Sequence, residues 1–255
     1  MTSLKQKDGF SQMLLPIVIF VVLEVLIQQF VTFNLANWCY YQFGLSQLMG
    51  TFIHKTLEVV VVLGLNFVIT KQKIYTQGHF SWLKVLLCLF LLAVMIPFLS
   101  TNNLMERIAG GLMGGVPEEL FCRGVLLGAF LTYVIKYGYT YKKLILSIVS
   151  SSAIFGLLHF TNLTHAPFPL TAMQVIISIL GGLTFAFIYV QTGSIWYAIA
   201  VHFTNNFLRT PNTGIDSSIQ TAALAIFGYF TILVVVYFLW YDRKHTPQLV
   251  KNIKQ

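Results

Sequence analysis

The chain has 255 residues, of which 56% are hydrophobic and only 9% are charged, where an ordinary soluble domain is about a quarter charged. A water-soluble protein of this size could not hide so much apolar surface, so much of it must face lipid, and a soluble globular enzyme is excluded. The net charge of +8 sits mainly in short loops between apolar runs, which is the pattern of anchoring beside anionic lipid and not of nucleic-acid binding.

A spanning helix needs about 20 mostly apolar residues. Eight segments emerge in chain order: 13–33, 48–70, 83–100, 108–135, 143–160, 172–190, 195–208 and 219–241. The runs are continuous and lack the two-residue alternation of barrel strands. The expected fold is therefore all-α, a polytopic membrane protein built as a bundle of about eight transmembrane helices, with one membrane domain over 1–255. Lys5 and Lys7 precede the first run as in a signal peptide, but the run is long enough to span and no small-residue cleavage site follows, so it reads as a retained helix. The seventh segment is short. It is expected to pack inside the bundle or to begin in the turn 191–194. With the N-terminus inside, only Arg107 and Arg209 fall in external flanks, so both termini are expected in the cytoplasm, provided the seventh segment crosses fully. Cys39, Cys88 and Cys122 are odd in number and show no metal-type spacing, and they read as reduced packing residues.

Ionisable groups inside a bilayer are costly and each needs an explanation. The fourth segment contains Gly110-Gly111-Leu112-Met113-Gly114-Gly115-Val116-Pro117-Glu118-Glu119-Leu120-Phe121-Cys122-Arg123. Glu119 and Arg123 are four apart and share a helix face, so they can pair. Glu118 projects about 100° away, free to point into a cavity. Pro117 suits a first turn or a kink, and the glycines allow close backbone approach. The fifth segment places Phe155 and His159 four apart, and the seventh does the same with His202 and Asn206. A carboxylate and an imidazole around one water can make a nucleophile. A second imidazole and a carboxamide can donate to an oxyanion. Taken singly, each has a plainer explanation: a Glu–Arg pair locks helices, a His at a helix end is interfacial, an Asn caps or bridges.

These residues, in this order, resemble the signatures of the CAAX-protease and bacteriocin-processing family, also called the Abi family: EExxxR, then FxxxH, then HxxxN. The resemblance covers roughly 105–210, which would be the catalytic helical core. It implies an eight-helix intramembrane endopeptidase in which Glu118 and His159 activate water. By the same resemblance, His202 and Asn206 form the oxyanion hole, while Glu119 and Arg123 support the first carboxylate. The implied partners are the bilayer and a hydrophobic or membrane-bound peptide substrate, with no nucleic acid. Bacterial members are linked to bacteriocin immunity or peptide maturation, and a multi-pass protein of a bacterial cell membrane is expected. The glutamate–histidine scheme needs no cofactor; two His and one Glu also make a zinc set, so that alternative stays open. Oligomeric state is not legible.

Other intramembrane protease types fit poorly. No HExxH string occurs, and Asp8, Asp216 and Asp242 all fall in loops or at ends. Ser151 and Ser152 lack a GxSG string. Two rival classes remain: a non-catalytic immunity or scaffold protein, and a small proton-coupled transporter, which would show paired broken helices or internal symmetry that the sequence lacks. His54, Lys55 and Glu58 read as a local polar cluster. Glu24, Gln28 and Gln29 read equally as a substrate path or as bundle-internal hydrogen bonds. His165 lies in a loop near His159, and His79 and His245 read as ordinary loop residues.

Overall fold

The computed structural model describes residues 2–78, 80–164, 166–210 and 216–255, with side chains from Ser11 onward. The described residues form helices and connecting loops, with no strand among them. His79 and His165 lie outside the described residues. Five helices are long and apolar enough to cross a membrane: α1 (Ser11–Phe43), α2 (Gln47–Thr70), α5 (Tyr141–Thr164), α6 (Phe168–Thr192) and α8 (Ser217–Tyr241). Between them lie a shorter apolar helix, α3 (Trp82–Phe98), the long charged rod α4 (104–136) and α7 (Ile195–Arg209). A short α9 (Gln248–Lys254) closes the chain. Each of the eight predicted segments is thus a helical rod of an all-α polytopic membrane protein.

The boundaries differ where hydropathy and backbone part company. The first apolar run ends near residue 33, yet α1 continues to Phe43 through a π-helical turn at Gln28–Thr32. No helix breaker intervenes before Gly44, whose φ of +59° suits a residue without a Cβ and ends the rod. α7 has 15 residues, or roughly 22 Å of rise, less than the roughly 30 Å hydrocarbon core. It packs inside the bundle, with Ala198, Val201 and Phe207 fully buried. Arg107, assigned to an external flank by the loop-charge pattern, is also fully buried; it donates to the Phe207 carbonyl at 2.9 Å. It stands near the start of α4, and its side chain joins α4 to α7.

The rods are oriented by caps and by close packing. Ser46 accepts the Met49 amide at 3.2 Å, and Thr140 accepts that of Lys143 at 3.3 Å, each opening a helix. α4 and α7 approach closely through glycine: a Cβ on Gly115 would stand 3.3 Å from the Ile199 carbonyl and 3.2 Å from the Phe203 amide. Large apolar side chains such as Phe30, Leu86, Ile176 and Tyr229 remain exposed on the outer faces, as a lipid environment allows. The core that fixes the centre runs from Phe121 and Leu126 on α4 through Phe155 on α5 to Phe185 on α6 and Phe207 on α7.

Candidate active site

α4 supplies the carboxylates. Immediately after Glu119 the helix widens into a π-helical stretch, Leu120–Leu127, a distortion common at functional sites. Glu119 and Arg123 are both fully buried and pair at 3.1 Å through Oε1 and Nη1. Arg123 also donates from Nη2 to the Gly182 carbonyl on α6 at 2.9 Å and lies over the rings of Phe155 and Phe185, at 4.5 and 5.4 Å from their centroids. The guanidinium therefore ties α4, α5 and α6 together around one buried charge pair.

The same Glu119 oxygen receives His202 of α7, whose Nδ1 lies 2.8 Å away. A carboxylate accepts, so Nδ1 donates, which fixes the ring orientation. Phe185 stacks on the imidazole at 4.5 Å and 16°. The other nitrogen, Nε2, faces Glu118 Oε2 at 3.8 Å. Glu118 itself keeps a quarter of its side chain exposed, in contrast to its buried neighbour. One carboxylate is locked in the packing and the adjacent one opens onto space.

His159 stands where α5 tightens from α to 3₁₀ geometry. Its own amide turns to Gly156, leaving the Phe155 carbonyl to accept from the imidazole Nδ1 at 2.9 Å. In the neutral ring this leaves the lone pair on Nε2. Asn206 lies one turn beyond His202, and its Nδ2 occupies the space that a Cβ on Gly114 would fill. Asn206 Oδ1 accepts from Asn205 at 3.4 Å.

Two cavities meet at this point. The larger, about 870 Å³, is walled by aliphatic residues of α6 and α8, among them Leu180, Leu183, Ile232 and Val235, and it reaches Glu118, His159, His202 and Asn206. The smaller, about 250 Å³, lies among α1, α2, α4 and α5 and also contains Glu118 and His159. The structure thus brings Glu118, His159, His202 and Asn206 to one chamber, with Glu119 and Arg123 buried behind it.

Residues given no catalytic role in the sequence reading also line this chamber. Lys55 pairs with Glu58 at 2.7 Å and lies 3.9 Å from Glu118 Oε1, so the cluster on α2 faces the centre. Glu24 and Gln28 of α1 line the smaller cavity. The only sequence signal for them was their cost inside apolar runs; their convergence across helices has no local spacing.

The fold and this buried carboxylate–imidazole–amide constellation define an all-α polytopic membrane protein with a polar chamber inside the bundle. Residues 81–208, half of the chain, match the family described as type II CAAX prenyl endopeptidase, Rce1-like, and the chain belongs to that family of membrane proteases. No curated protein and no solved structure matches it.

Proposed function

We propose that the protein hydrolyses peptide bonds of a hydrophobic or membrane-associated peptide with water activated by Glu118 and His159. The observation that carries this reading is the position of Glu118, partly exposed at the junction of two cavities beside a fully buried Glu119–Arg123 pair. Glu118 or His159 Nε2 takes a proton from water as the oxygen attacks the scissile carbonyl carbon. Asn206 Nδ2 is a donor for the oxyanion that results. His202 Nε2, which faces Glu118 across the same space, supplies a second donor when the ring carries both protons. The proton held by Glu118 or His159 passes to the leaving amine as the C–N bond breaks. Glu119 and Arg123 are positioning residues that fix the ring of His202.

The aliphatic walls of the larger cavity suit an apolar peptide, and the substrate need be no more specialised than that. The scheme uses no metal. A zinc ion held by Glu118, His159 and His202 is the alternative, and the chelator arm of the test below separates the two. The proposed setting is a bacterial cell membrane, and the proposed role is bacteriocin immunity or peptide maturation.

The test compares purified wild type with Glu118→Ala and His159→Ala on membrane peptides, with and without a chelator. Wild type should cleave in both conditions and each variant should lose at least about a hundredfold in rate, the usual scale for a general base. Peptide protection that persists fully in Glu118→Ala cells with normal expression would favour a non-catalytic immunity protein. Cysteine accessibility at positions 159 and 206 reports the side from which water enters.

A further inference from the structure

The smaller cavity carries a feature that the hydrolytic scheme does not use. Glu24 sits in the middle of α1, only 4% exposed, and lines the cavity. Among the described residues its carboxylate makes no hydrogen bond and no ion pair. A carboxylate sunk in a membrane helix without a partner is expensive and marks a binding function when it faces a cavity. The cavity, at about 250 Å³, exceeds by an order of magnitude the roughly 10–15 Å³ that one water needs. Its walls also carry amide acceptors, on Gln28 and Asn162.

The sign of the charge decides what enters. Three carboxylates, Glu24, Glu58 and Glu118, surround a single ammonium, Lys55, which is already held by Glu58 at 2.7 Å. An anionic group would meet a net negative wall. A cation would find the Glu24 carboxylate unpaired. We propose that this cavity is a cation-accepting subsite in which Glu24 receives a basic group of the bound peptide, a Lys or Arg side chain or a free N-terminal ammonium. This rests on the peptidase reading for its place beside the scissile bond, because the two cavities share Glu118 and His159. A peptide drawn through the centre would lay apolar residues between α6 and α8 and a basic group against α1. Preference is then for a basic residue on one side of the reacting bond and hydrophobic residues on the other.

The experiment uses the full chain in nanodiscs, in a His159→Ala background so that bound peptides stay intact. Apolar decapeptides carry one Lys, or one norleucine of similar length, walked along the sequence, each with a free or acetylated N-terminus. Binding is read by competition anisotropy. At one register Lys should bind about tenfold tighter than norleucine, and Glu24→Gln should reduce that ratio below about twofold. Loss of the preference on acetylation assigns the ammonium source to the N-terminus; its retention assigns it to the side chain. A second reading needs no substitution at Glu24: dicyclohexylcarbodiimide labelling of this carboxyl, mapped by mass spectrometry, should fall several-fold with the Lys peptide and not with the norleucine peptide. Equal binding of both peptides at every register, a preference that survives Glu24→Gln, or labelling unaffected by the Lys peptide overturns the subsite. Cleavage by the unsubstituted enzyme is scored separately: cleavage without any basic preference sinks the subsite alone, and a Lys preference without cleavage of any peptide sinks the peptidase reading alone.

Discussion

Replacing Arg123 by Met removes the one guanidinium that neutralises Glu119 in the middle of the bundle. Both groups are fully buried and 3.1 Å apart, so solvent does not screen the pair. The substitution leaves the Glu119 carboxylate with His202 as its remaining close partner at 2.8 Å, and it removes the side-chain donor to the Gly182 carbonyl. Stranding one member of a buried pair costs about 3–5 kcal/mol. Met fills most of the stem volume, so the cavity contribution is small beside that. The expected result is a large loss of stability in detergent, read by denaturant or thermal unfolding, and most of it should be recovered in Arg123→Met with Glu119→Gln, where no charge is stranded. Arg123→Lys should fall between, since an ammonium restores the charge but not the two-pronged contact. A stability change below about 1 kcal/mol for Arg123→Met, or no recovery in the double variant, would refute the assignment of this pair as the electrostatic anchor of the site.

Three further outcomes follow from particular contacts. Gly114→Ala places a methyl group on the Asn206 carboxamide, so kcat on a cleaved peptide should fall about a hundredfold, the scale for losing one oxyanion donor, while the Arg123 network stays intact. Lys84 is nearly buried and donates to the Thr192 carbonyl at 2.9 Å, at the end of α6; Lys84→Met should destabilise the protein by about 1.5–3 kcal/mol, measurable in urea. Asp242, just past α8, has its carboxyl pushed up to about 6 by burial, against the opposing hydrogen bond from Gln191 and the charge of His245. The folded protein therefore holds this proton more tightly than the unfolded chain does. Its contribution to stability is greatest below the unfolded value of 3.8, declines as pH rises toward about 6, and is lost above that. Asp242→Asn, which keeps an acceptor for Gln191, should flatten that decline in a series of unfolding curves between pH 4 and 8.

Most of the architecture was written in the sequence because lipid imposes a simple rule: long apolar runs become helices. Glu119 and Arg123 were readable because their partnership is local, four residues along one helix face. Lys55 was not, because it reaches Glu118 only after α2 packs against α4, and for Glu24 the sequence left a substrate path and a bundle-internal bond as equal readings, because its cavity exists only once α1 joins them. The burial of Arg107 was hidden for the same reason, since the carbonyl it meets lies on another helix. The π-helical stretch after Glu119 left no mark in composition, since widening a turn changes the hydrogen-bond register and not the residue types. The direction of the His159 ring likewise depends on the switch to 3₁₀ geometry at Leu158, which frees the Phe155 carbonyl.

The most direct test of the central claim is a double-mutant cycle on turnover with Glu118→Gln and His159→Ala. If the two side chains act on one water, each single substitution should abolish most of the rate, and the combined variant should be no slower than the worse of the two. Independent, multiplicative losses, or a Glu118→Gln enzyme that turns over at the unsubstituted rate, would contradict it.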